Sequence, residues 1–305
     1  MTSGRLRWVL VAVIAVALVE WVAAARAYTN SVGADDWTAF GQRVDSLPPD
    51  EPVVFADDWL APRARMASSP LARLEAAALP DLREPTRIHV LGWRGRAWSD
   101  ALQADLEDRP APHPESTLEF GDLTLTTYAW PDAAVPTASM VDDLMALSVE
   151  SDGGRCRGKR TFKCAEGRVV PRVVEVDYRA RRCLEIDVSD GATVRVLYRD
   201  MPLGTVLRGH VGWGDFNHRL RSDAPANIEL SIDGHVHARW LASDTQGWRP
   251  LAVATTPGTA NVEVAITPAL QRTWSRDGYG ARAPHPVCFE LRALQDGARG
   301  EAQSP

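Results

Sequence analysis

The sequence predicts an α+β fold: an N-terminal membrane helix, a small α/β domain and a C-terminal antiparallel β-sandwich of jelly-roll type. Three observations predict it. An apolar run opens the chain, strand patterns alternate with helix patterns over residues 45–130, and short, evenly spaced strand patterns fill the chain from residue 167. The 305 residues suit two domains, and 45% hydrophobic with 24% charged residues is the balance of a folded globular chain. A net charge of −6 provides no global basic field, so nucleic acid is not an expected partner. Of the 34 basic residues 32 are arginine, a skew that resembles a high-GC bacterial genome.

The first element sets the expected location. Arg5 and Arg7 precede an apolar stretch from Trp8 to Ala25, 18 residues interrupted only by Glu20. That length just spans a bilayer, and the 12-residue run before Glu20 also suits a signal-peptide core. Ala25-Arg26-Ala27 offers a small-x-small cleavage site with an ill-fitting arginine at its centre. Residues 1–27 are therefore expected to be an uncleaved signal anchor, with a cleaved signal peptide as the alternative. In both cases residues 28–305 are periplasmic, outside a single pass of the bacterial inner membrane. Four cysteines in an exported chain imply disulfides. Cys156 and Cys164 enclose a short polar loop and are expected to pair, which leaves Cys183 with Cys288. No CxxC and no histidine at ligand spacing favours zinc, so no metal or other cofactor is expected.

The α/β domain is placed at residues 28–135. Trp37, Phe40 and Val44 recur at helical spacing, and Pro48-Pro49 ends that helix. Pro52–Phe55 reads as a short buried strand and residues 63–78 as a helix restarted at Ser69-Pro70. Thr86–Leu91 is a second strand, Ser99–Asp108 a helix capped by Ser99, and residues 117–128 a hairpin turning at Gly121-Asp122. Residues 136–166 are expected as a linker with the disulfide loop, residues 167–298 as the sandwich and residues 299–305 as a tail.

Asp57 and Asp58 follow a strand, where α/β sheets place ligands, and a carboxylate pair can bind a cation or do acid–base work. The same residues read more simply as the N-cap of the next helix. On the strand after Asp233-Gly234, alternation puts His235, His237 and Arg239 on one face. A three-residue loop, Ile232-Asp233-Gly234, would pair Leu230 with Val236 and bury Ile228, Leu230, Val236, Ala238 and Trp240 together. Eleven tryptophans are an unusual count, and flat rings stack on sugars. Trp213 and Trp274 are expected in loops of the sandwich, with Trp213 reaching over His237. Ten basic against three acidic residues between Arg155 and Arg182 suit anionic lipid or a solvated surface. No GxSxG, HExxH, Walker or GxGxxG pattern is present, which argues against an enzyme.

Leu207-Arg208-Gly209-His210-Val211-Gly212, Asp215 and Asn227–Gly234 together resemble the strand–Gly–Asp step and Asp-Gly hairpin of carbohydrate-binding-type β-sandwich modules. Leu47-Pro48, Val53–Phe55, Trp59-Leu60 and Arg87–Leu91 are similar to the extracytoplasmic segment of bacterial polyprenyl-sugar glycosyltransferases, without their catalytic membrane body. These resemblances imply a non-catalytic envelope protein that binds a cell-envelope glycan or a glycosyltransferase partner. The expected ligand residues are Trp213, His235, His237, Arg239 and Trp274. The alternatives are an enzyme acting on a lipid-linked or envelope sugar through Asp57 and Asp58, and a structural envelope component.

Overall fold

The computed structural model describes residues 3–29, 32–79, 81–106, 112–129, 133–188, 192–213, 225–243, 247–268, 274–275, 278–279 and 286–296. Helix α1 (Ser3–Thr29) opens the chain. Every side chain described on it from Val11 to Ala23 is exposed, so it has no partner in the fold there. Among the described residues no helix is long and apolar enough to cross a membrane, and the anchor remains an expectation of the sequence.

The α/β part contains α2 (Ala34–Asp45), β1 (Val53–Phe55), α3 (Leu60–Ala67), α4 (Ser69–Ala72), β2 (Arg87–Trp93), α5 (Asp100–Leu106), β3 (Pro114–Phe120) and β4 (Leu123–Ala129). The strands form one sheet in the order β1-β2-β4-β3, with β1 and β2 parallel and the other pairs antiparallel. Alternation sends Val53 and Phe55 to one face, with Trp37, Phe40 and Leu60, and Val54 to the other, with Leu102 and Leu106. Helices thus cover both faces. The helix expected over 63–78 starts at Leu60 and ends at Ala72, and Ser68, not Ser69, is the cap that restarts it.

The remaining strands build two packed antiparallel sheets. The first runs β15 (Arg249–Ala254), β12 (Val206–Trp213), β19 (Val287–Gln295), β10 (Arg179–Val188), β9 (Gly167–Val176) and β8 (Phe162–Cys164), with β5 (Val135–Ser139) also on β19. The second runs β14 (His235–Ala242), β13 (Ala226–Ile232), β16 (Gly258–Pro268), β11 (Val194–Leu203), β6 (Leu147–Ser151) and β7 (Gly154–Arg155). Strands β17 (Trp274–Ser275) and β18 (Gly278–Tyr279) pair with each other. Leu184, Val211, Phe289, Ile228, Leu230 and Val264 meet between the two sheets in one core. Residues 136–166, expected as a linker, supply β5 to β8, because their apolar positions are needed to extend both sheets. Both disulfides pair as expected, Cys156 with Cys164 and Cys183 with Cys288, at Cα separations of 4.3 and 5.6 Å.

Candidate functional site

On β14 the register and the place of Trp213 differ from the expected ones, while Ile228 and Leu230 are buried as expected. Ile232 pairs with His235, so the loop is the two residues Asp233-Gly234, with φ of 48° and 78°. That is the geometry of a tight primed turn, whose twist matches the strands it joins. A bulge between Leu230 and Ser231 then pairs Ser231 with Val236 and Leu230 with Ala238, not Val236. The bulge restores the intended faces for Ala238 and Trp240 but leaves Val236 exposed. His235, His237 and Arg239 are exposed on this edge strand, and Arg239 Nε donates to Glu229 Oε2 at 2.7 Å. Trp213 is not in a loop. It ends β12 opposite Val287, 3% exposed within the sandwich core, so its ring cannot reach over His237. Trp274 pairs through its backbone with Tyr279, and its side chain lies outside the described residues.

A concave site forms instead at the C-terminal end of β1. Ala56 N–H donates to Leu91 O and prolongs the ladder. The carbonyls of Asp57 and Asp58 accept from Leu60 and Ala61, which starts α3 through backbone alone. Neither carboxylate caps the helix, contrary to the simpler sequence reading. The Asp57 side chain accepts from Arg96 Nη1 at 3.2 Å, and Asp58 from Arg179 Nε at 2.5 Å. These residues, with Trp98 and Asp100, line a cleft of about 400 Å³. Trp98 is fixed on its far side by Gln103 and by edge-on contact with Tyr128, ring centroids 5.1 Å apart. Ser99 Oγ accepts from Leu102 N and holds the start of α5. Arg179 comes from β10, so the α/β part and the sandwich share the cleft. Its side chain is 10% exposed, and its Nη2 is buried without a hydrogen-bond partner.

Behind Arg179 lies a buried layer of charge. The outer face of the first sandwich sheet presents Arg181, Arg208, His210, Glu290 and Arg292, and the α/β part presents Asp81, Glu84 and Asp105 against it. Arg181 Nη2 donates to Asp105 Oδ2 at 2.8 Å, Arg208 Nε to Asp81 Oδ2 at 3.1 Å, and Arg292 Nη1 to Glu84 Oε1 at 2.8 Å. His210 sits with Nδ1 2.8 Å from Glu290 Oε1 and Nε2 3.4 Å from Asp105 Oδ1. Burial pushes the Asp105 carboxyl up, but Arg181, His210 and Arg179 outweigh it and hold the group well below the ordinary carboxylate range. Burial and Arg181 push His210 down, yet hydrogen bonds to Asp105 and Glu290 prevail and raise it above its ordinary value. Arg96, Trp98, Asp100 and Arg179 went unread in the sequence because their meeting depends on long-range packing, with 121 residues separating Asp58 from Arg179.

No family model and no curated protein matches the chain. Among solved structures it is similar to the CBM51-2 and INT domains of Clostridium perfringens ZmpB, in complex with GlcNAc, at 13% identity and TM-score 0.28. That match covers 60% of this chain and 40% of the other. It is also similar to CBM51 of Clostridium perfringens GH95, in complex with methyl-galactose, at 11% identity and TM-score 0.28, over 51% of this chain and 100% of that one. A third is the N-terminal cellulose-binding domain of Cellulomonas fimi β-1,4-glucanase C, at 12% identity and TM-score 0.28, over 53% and 97%. All three scores fall below 0.5, so the sandwich assignment rests on the strand pairing itself.

Proposed function

We propose that the protein is a non-catalytic glycan-binding protein of the bacterial envelope, and that its sugar seat is the Asp57–Asp58 cleft. The observation that carries this is the lining of that cleft. Three carboxylates, Asp57, Asp58 and Asp100, offer acceptors, two guanidiniums offer donors, and an indole stands beside them in about 400 Å³. Sugar hydroxyls need donors and acceptors held close together, and the ion pairs fix both in place before any ligand arrives. The arrangement does not favour hydrolysis. Asp57 and Asp58 are each tied to a guanidinium, so neither stands in the apolar setting that a general acid requires. Arg5 and Arg7 in the first turns of α1, ahead of its apolar stretch, together with the exposure of Val11 to Ala23, support an inner-membrane anchor with residues 28–305 outside.

Glycan-array screening of the full-length protein in detergent, followed by titration of each hit, tests the reading. Asp57→Asn and Asp58→Asn are expected to weaken binding about tenfold or more, as loss of a charge-assisted hydrogen bond does. Arg239→Ala and His237→Ala are expected to leave it unchanged. The opposite pattern would move the sugar to β14, and the absence of any glycan hit would refute the proposal.

A further inference from the structure

Beyond α1, only two aromatic side chains are exposed among the described residues: Trp59 at 51% and Tyr178 at 50%. Both adjoin the same ion pair. Trp59 follows Asp58 in the chain, Tyr178 precedes Arg179, and the Asp58–Arg179 pair lines the cleft. Adjacent Cα atoms lie about 3.8 Å apart, so both residues sit one step along the chain from the cleft lining, although neither ring is itself part of that lining. Trp59 is braced edge-on against Trp93, ring centroids 5.5 Å apart, while one side of its indole stays in water.

The backbone at Tyr178 adds a separate observation. Asp177 and Tyr178 have φ of 51° and 62° and form a two-residue turn between the paired residues Val176 and Arg179. A bulky side chain at positive φ is strained. Among the described residues the chain builds two further turns with both φ positive. Arg94-Gly95 lies between Trp93 and Arg96, and Asp233-Gly234 between Ile232 and His235. Both have glycine at the second position, with open space around it. Where only the turn matters, this chain uses glycine. The tyrosine therefore stands at a position whose geometry disfavours it, with half of its surface in solvent and its chain neighbour in the cleft.

We infer that Tyr178 and Trp59 are stacking platforms on the rim of the cleft, and that the ligand is an oligosaccharide chain longer than the one ring seated between Asp57 and Arg179. The apolar C–H faces of successive rings lie on the two aromatic rims, while the hydroxyl edges of the central ring meet the carboxylates and guanidiniums. This inference rests on the glycan reading of the cleft.

The test titrates the full-length protein in detergent with cellohexaose, chitohexaose and an α-mannan hexasaccharide, and measures thermal unfolding of each variant. Tyr178→Gly converts the turn to the Asp-Gly form found at 233–234. It is expected to weaken binding of the best hexasaccharide by about five- to tenfold, the scale of one lost ring contact, while the unfolding midpoint stays level or rises. Trp59→Ala is expected to weaken binding similarly, and Tyr178→Phe, which keeps the ring, to bind within twofold of wild type. If Tyr178→Gly lowers the midpoint, the ring is structural and the inference falls. If Asp57→Asn abolishes binding while Tyr178→Gly and Trp59→Ala bind like wild type, the platforms are refuted and the cleft reading stands. If Tyr178→Phe loses binding as Tyr178→Gly does, the hydroxyl rather than the ring makes the contact, which also overturns stacking. If wild type binds none of the three probes, the cleft reading and the inference fall together.

Discussion

At the scale of single residues, the sequence and the structure part over which charges are solvated. Arg208, His210, Glu290 and Arg292 alternate with apolar residues along β12 and β19, the pattern of a half-exposed strand. Arg208, His210 and Glu290 are buried instead and Arg292 is half-buried, because the α/β part lies on that face with complementary carboxylates. Nothing local in the sequence reveals a covered face. Arg181 is 1% exposed, and removing one partner of a buried ion pair leaves the other uncompensated. Arg181→Ala is therefore expected to cost about 3–5 kcal/mol in denaturant unfolding, and a loss under 1 kcal/mol would show that Asp105 finds water. His210 supplies a pH signature. Its folded value lies above the ordinary 6.5, so its contribution to stability is complete below about pH 6.5 and is lost as pH rises through the folded value. Asp81, Asp105 and Glu290 are held low, so their contributions are present at neutral pH and fade as pH falls through their folded values. The thermal midpoint is expected to fall from pH 6 to pH 9 in wild type, and His210→Gln is expected to flatten that limb at a lower midpoint. A flat wild-type profile over this range would contradict the assignment.

At the scale of elements, existence and type were legible where periodicity was strong. The hairpin at Gly121-Asp122, the alternating strands of the sandwich and the two disulfides follow directly from pattern and cysteine count. Register was less legible. The bulge opposite Leu230 and Ser231 shifts the pairing by one residue, and no residue of the β13–β14 hairpin announces it. Trp213 reads as a loop residue because glycines flank it, yet β12 runs on through Gly212 to Trp213 and carries the ring into the core. The disulfides give an ordered prediction. Cys183–Cys288 joins residues 105 apart, so its loss costs up to about 4–5 kcal/mol in the chain-entropy model, against about 2.5 kcal/mol for Cys156–Cys164 with its separation of 8. Double serine variants measured by urea unfolding should keep that order, and the reverse order would show that the short loop is the more important staple.

At the scale of the whole molecule, the cleft exists only because two parts of the fold meet. Asp57, Asp58, Arg96 and Trp98 come from the α/β part, Arg179 comes from the sandwich, and the buried charge layer sets their distance. The carboxylate pair was visible as sequence, but its partners were not, and so the pair read first as a helix cap. The proposed anchor predicts that deleting residues 1–27 moves the protein from the membrane to the soluble fraction; retention in the membrane fraction would overturn the anchor. The central claim is where the sugar sits. Hydrogen–deuterium exchange of the full-length protein, with and without the best-binding hexasaccharide of the three probes, reads this most directly. The account predicts protection confined to residues 56–60, 96–100 and 177–179, with residues 235–241 unchanged. Protection of 235–241 without protection at 56–60 would contradict it.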